Sequence, residues 1–295
     1  MHRPVIWALV AAGLLLLVAC GSDGSGSPGD NGVVPVVTTT ALLADLVKNV
    51  GGDRVRVTSL VPPGADIHSF QTTPNDSIVI SQARLVVSNG FGLDTFLEPV
   101  LRSAIGADTI NLIAAQGLDS MLEADNARDP HFWQNPVFVI DYVQRIRDGL
   151  ANTDPGHGLE YQANAEAYIE DLRKLDREIR AILDQVRPEF RHLVTFHDAF
   201  RHFAGRYGWD VSAFVASDAD AVSPAAVVRI MGRVSDALLP AVFVEPQFRS
   251  DVVQQSARDA GIVVGTIYSD LSDDGPSGYI EMMRTNARSL AEHLR

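Results

Sequence analysis

Three histidines and an aspartate lie in four short stretches of this chain: Asp66-Ile67-His68, Asp129-Pro130-His131, Phe196-His197-Asp198 and Tyr268-Ser269-Asp270. Each stretch falls where a hydrophobic run, or the loop after one, gives out. Neutral imidazole and carboxylate are ligands of divalent transition metals, and three of the first with one of the second make a complete four-coordinate set. Open α/β sheets bind ligands in the crevice beyond the carboxyl ends of their strands. Four donors so far apart in sequence meet only if the fold gathers those strand ends.

The residues around each donor bear on that chemistry. His68 follows the turn Pro62-Pro63-Gly64, and His131 is held between Pro130 and Pro136 beside Trp133, where the backbone has little freedom. His197 ends one run and opens a helix. Asp198 beside it is placed to cap that helix or to orient a nearby imidazole from behind. Glu245, in Val244-Glu245-Pro246, is a further acidic strand end. It has three open roles: support of a ligand, a fifth ligand, or an ion pair with Arg249. The other histidines fit less well. His192 begins its run, and His202 sits about 140° round a helix from His197, which turns it away. His157 heads a long helix and is expected to be solvated, while His2 and His293 lie at the chain ends.

Elements that would position these donors alternate from residue 33 onward. Strands are expected over 33–39, 55–61, 85–88 and 109–113, with helices over 41–50, over 74–82, over 93–104 and over 137–150. The rhythm returns with strands over 192–196, 211–215, 242–244 and 262–267. Helices there fall near 199–207, 224–238, 251–260 and 278–294. Such alternation predicts βαβ units and an α/β fold with mostly parallel sheets flanked by helices. No sequence repeat relates the halves. Between them, Tyr161, Ala165, Tyr168, Leu172, Leu175, Ile179, Ile182 and Val186 recur at helical spacing. One helix of about 40 Å is expected there, bounded by Pro155 and Pro188. The expected organisation is an N-terminal lobe over 33–157, a connecting helix over 158–187 and a C-terminal lobe over 188–295.

The start of the chain supplies an address. A short basic beginning and an apolar run from Val5 to Ala19 end at Cys20, the single cysteine. The run falls short of the roughly 20 apolar residues of a membrane-spanning helix. Leu17-Val18-Ala19-Cys20 resembles a bacterial lipobox, which implies a signal over 1–19 and lipid attached to Cys20. The Gly/Ser/Asp-rich stretch 20–32 reads as a flexible tether. With no other cysteine, an intrachain disulfide and a cysteine zinc site are both excluded. A net charge of −13 argues against nucleic acid, which calls for a basic face.

Taken with Phe243-Val244-Glu245-Pro246-Gln247-Phe248 and Tyr279-Ile280-Glu281-Met282-Met283, these stretches resemble the manganese/zinc-binding receptors of bacterial ABC importers, the adhesin-B-type surface lipoproteins. The resemblance covers 33–295 and the lipobox. It implies two lobes with the metal between them, ligands at His68, His131, His197 and Asp270, and hand-over by a lipid-anchored, monomeric receptor outside the cytoplasm to a membrane permease. Ile67 stands where members commonly have Pro, and Asn135 where they commonly have Asp.

Three imidazoles favour Zn²⁺, whereas oxygen-rich shells suit Mn²⁺. Zinc-dedicated members often carry a His-rich loop, and the stretch 117–128 has no histidine, which leaves Mn²⁺ and Fe²⁺ open. A secreted metalloenzyme would keep a ligand position open for water and supply a general base. Here the fourth donor is present and no HExxH helix occurs. A surface adhesin indifferent to metal would leave the four donors without a role.

Overall fold

The computed structural model describes residues 32–119, 128–216 and 222–295. The expected signal, Cys20 and nearly all of the tether lie outside the described residues. In the N-terminal half, β1 (Val34–Thr38), α1 (Ala41–Gly51), β2 (Val55–Ser59) and α2 (Pro74–Ser81) are followed by β3 (Leu85–Ser88), α3 (Glu98–Ala104), β4 (Ile110–Ile113) and α4 (Pro136–Thr153). A long helix, α5 (Gly158–Leu183), comes next. The C-terminal half runs β5 (His192–His197), α6 (Arg201–Tyr207), β6 (Asp210–Val215), α7 (Pro224–Asp236), β7 (Ala241–Val244), α8 (Asp251–Asp259), β8 (Val263–Thr266) and α9 (Tyr279–His293).

Each half carries a four-stranded parallel sheet, in the orders β2-β1-β3-β4 and β6-β5-β7-β8. The two orders are the same permutation, although the sequence shows no repeat. In each sheet the chain winds outward from the first strand, then returns past it to wind the other way. Crevices therefore open between β1 and β3 and between β5 and β7, at the carboxyl ends where α/β sheets hold ligands.

Side chains alternate across these strands, as the period of two demands. Val34, Val36, Leu85 and Val87 enter one large core that also takes Leu193, Ala241 and Phe243 of the second sheet. Val37 and Val86 face a smaller cluster with Leu60, Ile80 and Leu97. Val194, Phe196, Val242 and Val244 face another, with Ile230, Val234 and Val253. Both faces of both sheets are thus covered, which is why the strands read as nearly continuous apolar runs.

Local signals set the helix starts. Thr40 caps α1 by accepting from Leu43 N at 3.1 Å. Thr73 and Asp76 form a reciprocal capping box at α2. Asn135 caps α4 through Val137 N at 3.0 Å with Pro136 in the first turn, so asparagine serves where an aspartate was the expected family residue. The helix expected over 93–104 begins late. Gly90, Phe91 and Gly92 all have positive φ, and a 3-10 turn over Thr95–Leu97 precedes α3. Helix α6 starts at Arg201 rather than 199. His157 is half-buried and bonded to Asp154 at 2.7 Å, not simply solvated.

The 26-residue α5 packs against α1 and α4 of the first half and α9 of the second. Tyr161, Ala165, Tyr168, Leu172, Leu175 and Ile179 are all buried, on the face that their spacing predicts. Each large apolar side chain so buried contributes about 1.5–3 kcal/mol. The helix ends at Leu183, short of the expected 186. Val186 stays buried in the turn that follows, its N–H on Leu183 O at 3.0 Å. Asp176 is the buried acid of this face. It accepts from Arg206 Nε at 2.9 Å and from the Tyr207 hydroxyl at 3.0 Å, which ties α5 to α6.

Burial opposes ionisation of Asp176, but the Arg206 guanidinium and Tyr207 hydroxyl outweigh it and hold the carboxyl below its ordinary value. A depressed pKa means stabilisation that is present above the unfolded-state value, near 3.9, and lost as pH falls through the folded one. Replacing Asp176 by Ala is expected to destabilise the fold by about 1.5–3 kcal/mol at neutral pH, the range of charged hydrogen bonds. Urea unfolding at pH 7 and in strong acid checks this, because the gap between wild type and variant should close on acidification.

Candidate metal centre

The two sequence stretches Asp66-Ile67-His68 and Asp129-Pro130-His131 fold alike. In each, the aspartate Oδ1 accepts the backbone N–H of the histidine two residues on, at 3.0 Å for His68 and 2.8 Å for His131. This local carboxylate turn fixes the histidine backbone without help from a regular element. Gly64, at φ +76°, makes the preceding turn and donates to Leu271 O at 2.9 Å. Buried Ile67 anchors the first stretch. The second is anchored by Asn89, just after β3, whose Nδ2 donates to Pro130 O at 2.9 Å. His197 is the last residue of β5.

Ring nitrogens of His68, His131 and His197 converge to within 4.8 Å of one another. Ring centroids lie 5.5 Å apart for His68 and His131, 5.4 Å for His131 and His197, and 5.9 Å for His68 and His197. His131 and His197 are almost wholly buried and His68 is half-buried. Burial, with the neighbouring His131 and His197, lowers the pKa of His68 to about 3. Its imidazole is neutral, and so ready to ligate, over the whole physiological range.

Carboxylates set the other two rings. His131 Nδ1 bonds Asp129 Oδ1 at 2.7 Å, while its Nε2 is buried with no hydrogen-bond partner among the described residues. His197 Nδ1 bonds Glu245 Oε2, and its backbone N–H lies 3.4 Å from Glu245 Oε1. Fixing Nδ1–H on a carboxylate presents Nε2 as the free donor and raises its basicity. Burial resists protonation of His197, but the Glu245 charge prevails and raises its pKa. The three rings, Asp270, Trp133 and Phe248 help to line a cavity of about 20 Å³, the space of about one water-sized sphere. A cavity of that volume suits a single ion.

Asp270 lines the same cavity but stands outside the converging trio. Its Oδ1 accepts from Leu271 N at 2.7 Å, and Leu42 N in the first turn of α1 also bonds the carboxylate. Burial pushes this carboxyl up to about 7 against those two amides. Of the three roles open to Glu245, support of His197 is the one observed; among the described residues it makes no ion pair with Arg249. Asp198 takes neither expected role. Its Oδ2 pairs with Arg201 at 2.9 Å from Nε, and α6 has no side-chain cap. Arg201, the first residue of α6, takes the carboxylate.

Two supporting residues are invisible in the sequence reading. His202 is buried, stacked on Phe132 with 4.6 Å between centroids, and its Nε2 lies 3.1 Å from Asp129 O. Ser269 is also buried at the site, where its carbonyl accepts from Trp133 Nε1 at 2.7 Å. Asp129 was legible in principle, because the Asp-x-His spacing occurs twice.

Comparison with known proteins gives the family. The family model described as ZnuA, zinc-uptake complex component A periplasmic, matches residues 36–293. The manganese-binding lipoprotein MntA of Halalkalibacterium halodurans is 31% identical over 296 residues, covering 98% of this chain and 96% of that protein. The manganese ABC transporter substrate-binding lipoprotein PsaA of Streptococcus pneumoniae is 30% identical over 308 residues, covering 98% and 97%. Among solved structures, the periplasmic zinc-binding protein TroA of Treponema pallidum superposes with a TM-score of 0.83 at 27% identity, covering 89% of this chain and 99% of that one. With both sheets, the three histidines and Asp270 all inside the matched region, this chain belongs to the ZnuA family.

Proposed function

We propose that this protein is the extracytoplasmic substrate-binding component of an ABC importer, a receptor and not an enzyme, which captures one divalent transition metal and delivers it to a membrane permease. The observation that carries this reading is the convergence of three imidazole nitrogens within 4.8 Å around a cavity of about 20 Å³. His68 and His131 come from the N-terminal lobe (33–157) and His197 from the C-terminal lobe (188–295), on either side of the connecting helix (158–187). Asp270 supplies the fourth donor once its carboxylate turns from the backbone amides to the ion.

Capture follows from the preset rings. Asp129 and Glu245 hold their imidazoles in the ligating tautomer before the ion arrives, so binding reorders little. The permease engages the rims of both lobes of this monomer and parts the two halves of the ligand set. The rigid α5 limits that motion to a modest adjustment. Cys20 carries the lipid that keeps the receptor at the outer face of the membrane; since one chain alone gives reversible attachment, the anchor requires more than one.

Zinc is the proposed cargo, because imidazole donors suit Zn²⁺. Manganese is the second reading: the relatives at 30–31% identity are named for manganese, and Asp270 offers the oxygen donor that Mn²⁺ favours. Iron would demand a similar mixed set. The Irving–Williams order makes Zn²⁺ bind more tightly than Mn²⁺ at almost any such site, so only a direct competition weighs the two.

Stripped with chelator and titrated with Zn²⁺ against Mn²⁺, the protein is expected to take up one equivalent. At a free metal concentration of 100 Kd the gain in stability is about 2.7 kcal/mol. His197→Ala is expected to lower affinity by more than about 100-fold, beyond the loss caused by removing a residue that only supports a ligand. Failure of any divalent ion to bind stoichiometrically, or to raise the melting temperature, would overturn the receptor reading. Separately, Cys20→Ala is expected to abolish incorporation of a labelled fatty acid and to release the protein or leave it unprocessed; undiminished labelling sinks the anchor assignment.

A further inference from the structure

Tyr268 belongs mechanically to the C-terminal half. Its N–H donates to Asn286 Oδ1 at 2.8 Å and its carbonyl accepts from Asn286 Nδ2 at 2.7 Å, both on α9. Two residues later the allegiance has changed. Asp270 meets Leu42 N, Leu271 O accepts from Gly64 N at 2.9 Å, and Tyr279 N donates to Asp45 Oδ2 at 2.9 Å. All three partners are N-terminal. The crossing between halves happens at Ser269, which is buried and hydrogen-bonded on both sides.

The Ser269 carbonyl accepts from Trp133 Nε1 at 2.7 Å and Gln134 Nε2 at 3.0 Å, both next to His131. Its hydroxyl donates to Glu245 Oε2 at 3.3 Å and accepts from Gln247 Nε2. Glu245 Oε2 is the same oxygen that holds His197 Nδ1. Trp133 in turn lies edge-on to the His131 ring, with centroids 5.2 Å apart. One serine therefore connects the support of the third imidazole, the neighbour of the second, and the loop that bears the carboxylate.

From these contacts we infer that Ser269 is a positioning residue of the metal site: its hydroxyl and carbonyl set His197, through Glu245, and Asp270 as one unit against the N-terminal histidines. The inference rests on the metal-receptor reading. The hydroxyl fixes which face of the Glu245 carboxylate is left for His197, and hence the aim of the imidazole. The carbonyl fixes where Asp270 begins. Neither group belongs to the converging imidazole set.

The test uses the full-length protein in detergent, loaded with Zn²⁺, and follows metal release to a chromophoric chelator alongside the melting temperature of the metal-free form. Ser269→Ala is expected to release Zn²⁺ about 10–100-fold faster, the range for residues that support a ligand, with little change in metal-free melting. Ser269→Thr keeps the hydroxyl and is expected to restore slow release. Unchanged release in Ser269→Ala overturns the inference, whether or not melting falls, and so does fast release that Ser269→Thr does not rescue. Should Ser269→Ala fail to fold, Gln247→Ala, which loosens the hydroxyl from the half-buried rim, decides by the same two measurements. Wild type that binds one equivalent of Zn²⁺ keeps the receptor reading intact under each of these outcomes; wild type that binds none overturns that reading itself.

Discussion

Three imidazoles held around an ion-sized space, two of them by a carboxylate behind the ring, are the constraint on which the rest of this structure depends. A buried ring held at neither nitrogen would rotate toward whatever donor or acceptor it could reach. Here Asp129 and Glu245 prevent that by occupying Nδ1 of His131 and His197. Both carboxylates are fully buried, which is expensive for an ion unless it is hydrogen-bonded. The imidazole and backbone N–H groups of the histidines provide those bonds. Support runs both ways: each acid orients a ring, and each ring makes its acid tolerable in the interior.

That arrangement demands strand ends from both sheets at one place. The identical strand orders create a crevice in each half, and α5 with the shared core keeps the crevices facing each other. The linkage continues deeper than the ligands. Asp129 O is met by His202 on α6, so the support of an N-terminal histidine draws on the C-terminal half. Ser269 returns the exchange, its carbonyl gripped by Trp133 and Gln134. Contacts of this kind resist wide opening, since separation of the halves would strand buried polar groups on both sides.

The sequence made much of this legible, for identifiable reasons. Helix α5 could be read because a 3.6-residue period needs no tertiary information, and Tyr161 through Ile179 obey it. The strands could be read because parallel sheets covered on both faces give unbroken apolar runs. His68, His131 and His197 stood out because proline, glycine and strand-end context set them apart. What escaped was everything decided by side chains meeting across the chain. His202 was judged by its angle to His197, and that angle says nothing of its actual partner, a carbonyl 73 residues away. Asp198 looked like a cap until Arg201, three residues on, took its carboxylate. Element ends missed by two to five residues where local geometry intervened, most at the positive-φ run Gly90-Phe91-Gly92, after which α3 begins only at Glu98.

Asp270 shows why a constellation read from residue types differs from a formed site. Its carboxylate rests on the backbone amides of Leu271 and Leu42, and the second of these is an orphan donor in the first turn of α1. A helix N-terminus stabilises a carboxylate by about 0.3–1 kcal/mol in exposed settings and up to about 2 kcal/mol when partly buried. Under the proposed function, direct coordination of a divalent ion is far stronger, so the amides would serve as a resting place and not as a rival. The imidazoles already converge, whereas the carboxylate would have to exchange one set of partners for another to join them. On that proposal three donors define where the ion goes and one responds to its arrival. Because Asp270 lies on the segment crossing between the halves, the adjustable donor would then coincide with the part of the chain that any relative motion of the halves must disturb.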